Sequence, residues 1–174
     1  MPVDQALAVA TQVADALGFA HTRQVVHRDI KPENLLLDGE IVLVTDFGIG
    51  KALNVAGSSS LTATGFVVGT PAYMSPEQAA SDPELDGRSD LYSLGLVMYE
   101  MLAGALPFTG VTAQQVIASR FIDVPRPLRE VRPEIAPEIA VIVHRLLAVH
   151  PADRFASADD LAAALRALPA TPRS

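Results

Sequence analysis

Apolar residues recur at helical spacing near the start of the chain, at Val3, Leu7, Ala10, Val13 or Ala14, and Leu17, which predicts one amphipathic helix from Val3 to Phe19 that ends near Gly18. The period then shortens. Leu35-Leu36-Leu37 and Ile41-Val42-Leu43-Val44 flank Asp38-Gly39, a pair that favours a tight turn between antiparallel strands. From Asn54 to Gly69 the residues are small, polar and punctuated by glycine, which predicts a long loop. Leu91 to Leu102 is apolar nearly all round, as a helix buried on every side should be, and Gly104 closes it. Thr112 with Gln115 forms a capping box that opens a short helix. The stretch from Pro125 to Pro137 is a connector, Ile139, Ile142, Val143, Leu146 and Leu147 trace another helix, and Ser157 with Asp160 caps a last one carrying Leu161 and Leu165. The expectation is a mainly α-helical domain over residues 1–168 with one small β-hairpin, followed by a frayed tail at 169–174.

Composition narrows the function classes. A chain of 174 residues with 49% hydrophobic and 19% charged residues has the ordinary mix of one globular domain. Its net charge of -7 argues against nucleic acid or an anionic membrane surface as the main partner. The absence of cysteine removes disulfides, thiolate metal sites and cysteine nucleophiles, and fits a cytoplasmic location. No run approaches the roughly 18 apolar residues of a membrane span, and the start of the chain lacks the basic residues of a secretory signal.

Two polar clusters interrupt the apolar segments: His27-Arg28-Asp29-Ile30-Lys31-Pro32-Glu33-Asn34, and Asp46-Phe47-Gly48 just past the hairpin. The hairpin should fold the second back beside the first, so that Asp29, Lys31, Asn34 and Asp46 converge at one edge of a tiny sheet. Two carboxylates, an amide oxygen and an ammonium suit a phosphate-and-magnesium site, because magnesium takes oxygen ligands and keeps several waters.

The string His-Arg-Asp-Ile-Lys-Pro-Glu-Asn followed by Asp-Phe-Gly resembles the catalytic loop and magnesium loop of eukaryotic-type serine/threonine protein kinases. Further matches follow in order. Gly69-Thr70-Pro71 resembles the family's substrate-docking loop, and Ser75-Pro76-Glu77 its Ala-Pro-Glu motif with serine for alanine. Asp90-Leu91-Tyr92-Ser93-Leu94-Gly95 resembles the start of its central buried helix, and Arg154 stands where an arginine pairs with the glutamate, here Glu77.

The resemblance implies roles. Asp29 would accept the proton of a substrate hydroxyl, Lys31 would face the transferring phosphoryl group, and Thr70 would tie the docking loop to both. Lys31, Asn34, Leu36 and Asp46 would surround Mg2+ and ATP, with Asn34 and Asp46 holding the metal. Arg28 would bind a phosphate carried by Thr62 or Thr64 in the long loop. His27 would pack and hydrogen-bond without transferring protons, Phe47 would be a core or switching residue, Asp90 would brace the catalytic-loop backbone, and Glu77 with Arg154 would form a buried ion pair. His21, His144 and His150 show no metal-like spacing and read as ordinary surface or packing residues.

The chain carries only the part of the pattern that resembles the C-terminal lobe. No glycine precedes Gly18 and no lysine precedes Lys31, so the Gly-rich loop and the phosphate-gripping lysine of the family's N-terminal lobe are not in this sequence. The expectations are therefore a truncated lobe that is a poor catalyst alone, an apolar patch at Leu36 and Phe47 facing water, and a partner in a complementing N-terminal lobe or a second copy. A non-catalytic module that docks substrates or intact kinases is the alternative. A small-molecule phosphotransferase is disfavoured by the combined Asp-Phe-Gly, docking-loop and Ser-Pro-Glu strings.

Overall fold

The computed structural model describes residues 1–47 and 71–169. The expected long loop at 54–69 and the tail beyond Pro169 lie outside these residues. Among them are seven α-helices and a two-stranded sheet: α1 (Val3–His21), β1 (Leu35–Asp38), β2 (Ile41–Val44), α2 (Pro76–Ala79), α3 (Arg88–Ala103), α4 (Ala113–Ile122), α5 (Leu128–Val131), α6 (Pro137–Leu146) and α7 (Ala158–Arg166).

Helix α3 is the axis of the core. Leu91, Tyr92, Leu94, Leu96, Val97, Met98, Tyr99 and Leu102 are all buried, so every face of the helix meets protein. A helix apolar all round has no solvent face to present and therefore sits in the middle. It ends where Gly104 adopts a left-handed conformation (φ 81°), which a glycine reaches without steric penalty. Helix α1 turns Ala6, Val9, Ala10, Val13, Ala14 and Leu17 inward and packs mainly on α7, while α6 also packs against α3. Gly95 permits that second approach, since a Cβ there would stand 2.7 Å from the Cβ of Leu146.

Helix α1 continues three residues beyond the expected end, to His21. Gly18 does not terminate it. A Cβ at this position would lie 2.3 Å from Asp159 Oδ1, so the glycine serves the close contact with α7 instead. The connector at 125–137 holds the single turn α5, whose first amide, Leu128 N–H, donates to His144 Nε2 at 3.0 Å.

That contact has a pH dependence. Burial holds the His144 pKa below the ordinary histidine value. The unfolded chain therefore binds this proton first as the pH falls, so the contribution is complete above about pH 6.5 and is lost below it. Urea unfolding at pH 7.5 and 5.5 should show a loss of stability on acidification that is smaller in His144→Gln. An equal loss in the variant would refute this role.

The hairpin runs in the register Leu35↔Val44 to Asp38↔Ile41, so the turn residues are Gly39 and Glu40 rather than Asp38 and Gly39. Gly39 takes the positive φ (61°) of a primed turn, which matches the twist of the strands. Gln12 of α1 holds the outer strand, its Oε1 accepting from Val42 N–H at 2.9 Å and its Nε2 donating to Glu40 O at 2.8 Å. The sheet is thereby fixed to the helical body, and the segments on either side of it acquire a defined position.

Candidate active site

The residues on each side of the hairpin meet through Thr45. Thr45 N–H donates to Asn34 O at 2.9 Å, continuing the strand ladder one step. The carbonyl of Thr45 lies 2.7 Å from His27 Nε2. His27 is fully buried, and because its Nδ1 accepts from Asp29 N–H at 3.2 Å, the ring proton sits on Nε2 and is donated to Thr45. Phe47 folds over the same ring, with centroids 4.6 Å apart. It is half-buried and packs against the core, which corrects the expectation that it faces water; Leu36, 52% exposed, does face water.

Asp90, at the first turn of α3, is fully buried and carries the backbone of His27 and Arg28. Its Oδ2 accepts from His27 N–H at 2.8 Å and its Oδ1 from Arg28 N–H at 2.7 Å. Arg28 has φ 69°, a left-handed conformation that disfavours a side chain with a Cβ. Its carbonyl accepts from Gln78 Nε2 at 2.7 Å, so both backbone groups of the strained residue are tied down. His21 Nε2 adds a third contact to Asp90 Oδ2 at 2.8 Å. Reading His21 as an ordinary surface or packing residue is thus corrected: it is a half-buried partner of the Asp90 carboxylate.

The polar side chains gather around Asp29. Its Oδ2 receives Lys31 Nζ at 2.7 Å and Asn34 Nδ2 at 3.1 Å, while Asn34 Nδ2 also donates to Asp29 O at 2.7 Å. Both amide protons of Asn34 are engaged on Asp29, and Pro32 starts the 3-10 turn Pro32–Asn34 that presents it. Among the described residues no hydrogen bond reaches Asp29 Oδ1 or Asn34 Oδ1. The Lys31–Asp29 pair is partly exposed and such pairs add about 1 kcal/mol or less to stability, so its significance is positional. Asp46 is exposed, adopts φ 63° and lies beside Asn34 through Thr45, whose Oγ1 is 3.5 Å from Asp46 Oδ2 and 3.4 Å from Asn34 O. The Asp46 carboxylate and the Asn34 amide oxygen are of the types that could hold magnesium, completed by water and phosphate oxygens.

The segment before α2 is anchored from below. Ser93 Oγ donates to Tyr73 O at 2.7 Å, Tyr73 hydroxyl donates to Glu100 Oε2 at 2.5 Å, and Ser75 Oγ lies 2.8 Å from Ser89 Oγ. Burial and the Glu100 carboxylate both raise the pKa of Tyr73, so it remains a donor. Ser75 and Gln78 form a reciprocal capping box that starts α2. Glu77 meets Arg154 in a two-pronged pair at 2.6 and 2.9 Å, with both side chains buried.

Thr62, Thr64 and Thr70 lie outside the described residues. Of the other sequence-derived candidates, His27, Arg28, Asp29, Lys31, Asn34, Asp46, Phe47 and Asp90 belong to one connected network, and Glu77 with Arg154 supports it from beneath through α2. Sequence reasoning missed His21, Thr45, Gln12 and Gln78. Only Gln78 had a local signal, the Ser-x-x-Gln spacing of a capping box.

A model of the protein kinase domain matches residues 1–165. Serine/threonine-protein kinase PknL of Mycobacterium tuberculosis is 42% identical over 171 residues, which cover 97% of this chain and 41% of that protein. Serine/threonine-protein kinase PknB of Mycobacterium leprae is 39% identical over 166 residues, covering 95% and 26% respectively. Serine/threonine-protein kinase pkn3 of Myxococcus xanthus is 40% identical over 168 residues, covering 92% and 30%. The chain therefore spans well under half the length of these curated relatives. The network around Asp29, the mainly helical architecture with its two-stranded sheet and the match over nearly the whole sequence agree, and the chain belongs to the protein kinase domain family.

Proposed function

We propose that this chain forms the C-terminal lobe of a serine/threonine protein kinase and contributes the catalytic floor for phosphoryl transfer from Mg–ATP to serine or threonine hydroxyls of proteins. The observation that carries this reading is the state of Asp29: one carboxylate oxygen is fixed by Lys31 and Asn34, and the other has no partner among the described residues. A carboxylate held in this way can orient an acceptor hydroxyl and take its proton. Lys31 sits 2.7 Å from the same carboxylate, where its ammonium can also face the phosphoryl oxygens. Asn34 and Asp46 would hold magnesium, whose chemistry there is the neutralisation of phosphate charge.

A whole kinase also needs groups that cover and grip the nucleotide from above. The exposed apolar side chains Leu36 and Leu43, a cross-strand pair at 52% and 51% exposure, support a docking position for such a lobe. In the alternative, binding-only reading, the same face would dock a partner without any transfer.

The test is magnesium-dependent transfer to a generic protein acceptor by the native protein at its full natural length, followed by identification of the modified residues. Phosphoserine and phosphothreonine are expected. Asp46→Asn should raise the magnesium concentration needed for half-maximal rate by at least about tenfold, since loss of even a group that only supports a metal ligand costs about 10–100-fold. A wild-type protein that binds acceptor but transfers nothing would instead establish the binding-only reading.

A further inference from the structure

Arg120 of α4 is among the largest fully buried side chains of the molecule, with 1% exposure. Burying a guanidinium costs several kcal/mol unless it is paired and its donors are satisfied. Arg154 meets that condition, since all five of its N–H groups donate, two of them to Glu77. Arg120 does not. Its Nη1 donates to Met74 O, and its Nε and Nη2 have no partner among the described residues. Those two atoms share the edge of the guanidinium that normally binds a carboxylate side-on. Among the described residues the third buried polar side-chain atom left without a partner is the hydroxyl of Tyr92. Burial lowers the Arg120 pKa, in keeping with an uncompensated cation.

The place of this cation is informative. Met74 lies between Tyr73, held by Ser93 and Glu100 of α3, and Ser75, the cap of α2. Arg120 is the contact that fixes the Met74 carbonyl, and it comes from a different helix than the others, 46 positions away. With no carboxylate holding it among the described residues, the guanidinium is positioned by Met74 as much as it positions Met74. We propose that residues 72–75, which directly follow the Gly69-Thr70-Pro71 string, seat the acceptor polypeptide and that Arg120 is a positioning residue for it: by holding the Met74 carbonyl it locks this segment to α4 and so sets the affinity for the acceptor. This rests on the kinase reading above and adds a residue to its acceptor site.

Two readouts test it. In Arg120→Met, amide hydrogen exchange at residues 72–79 should rise by about tenfold or more, while exchange in α1 and α7 stays unchanged. In the full-length protein the same variant should raise the KM for a protein acceptor by about tenfold, leaving kcat and the KM for ATP within about twofold. Arg120→Lys, which keeps a donor of similar reach, should bring both readouts back to within about threefold of wild type. Unchanged exchange at 72–79, or a rise spread evenly over the molecule, would overturn the proposal, as would an unchanged acceptor KM. If wild type transfers no phosphoryl group at all, the kinase reading fails and the acceptor role fails with it. Normal transfer with an unaltered acceptor KM overturns only the role of Arg120.

Discussion

Replacing Arg154 with methionine should destabilise the fold by about 3–5 kcal/mol, the range for removing one partner of a buried ion pair. The guanidinium is 2% exposed and donates to Glu77 Oε1 at 2.6 Å, Glu77 Oε2 at 2.9 Å, Ala148 O at 2.8 Å, Arg88 O at 2.9 Å and Val149 O at 3.0 Å. It therefore joins three separate places: α2 through Glu77, the start of α3 through Arg88, and the chain leaving α6 through residues 148–149. Methionine fills most of the volume but leaves the buried Glu77 carboxylate without its partner and takes one donor away from each of three carbonyls. For a chain of this size the loss corresponds to a fall in Tm of roughly 6–20 °C. The double variant Glu77→Gln/Arg154→Met should be less destabilised than the sum of the two single variants, because it removes the unpaired charge as well. Additive effects in chemical unfolding would show that the pair is not coupled.

Asp90→Ala should damage both stability and chemistry. Three donors, His27 N–H, Arg28 N–H and His21 Nε2–H, converge on one buried carboxylate, and hydrogen bonds to charged acceptors contribute about 1.5–3 kcal/mol each. Losing them should cost about 3 kcal/mol or more after relaxation. The effect on rate follows from strain. Arg28 holds φ 69° only because its amide and its carbonyl are both engaged, by Asp90 and by Gln78. Asp29 is the next residue. Once the amide is released, the backbone can relax and carry the Asp29 carboxylate with it, and a displacement of about 1 Å at a reacting group can lower a rate by about a hundredfold. The expected result is a fall in kcat of that order, with KM for ATP little changed. His21→Ala, which removes one of the three contacts and leaves both amides braced, should lower kcat by less than tenfold. An Asp90→Ala protein that folds and transfers at the wild-type rate would contradict the bracing role.

Much of this arrangement was legible in the residues because its signals are local. The period of 3.6 in α1, the continuous apolar run of α3, the Thr112 and Ser157 caps and the turn after Asp38 each lie within a few residues of the structure they encode. The two polar strings could be placed side by side because a hairpin of known length separates them. What escaped has no local code. His21 meets Asp90 across 69 positions and Gln78 meets Arg28 across 50, and a histidine or glutamine that finishes a long-range network looks like any other polar residue on a helix. Gly18 was misleading for a related reason: glycine marks both the ends of helices and their closest contacts, and only the position of Asp159 distinguishes the two. Arg120 has an arginine's ordinary place at the end of a short helix, and its burial follows from how residues 72–75 fold over it.

The central claim is that Asp29, held by Lys31 and Asn34, is the group that receives the acceptor proton. It is tested most directly by transfer of labelled phosphate from Mg–ATP to a serine- or threonine-bearing protein by the full-length protein, wild type against Asp29→Asn. Asparagine preserves the shape and the contact with Asn34 but cannot take up the proton, and the expected result is a fall in kcat of about 10²–10⁴-fold with nucleotide affinity retained. Equal rates in the two proteins would contradict it.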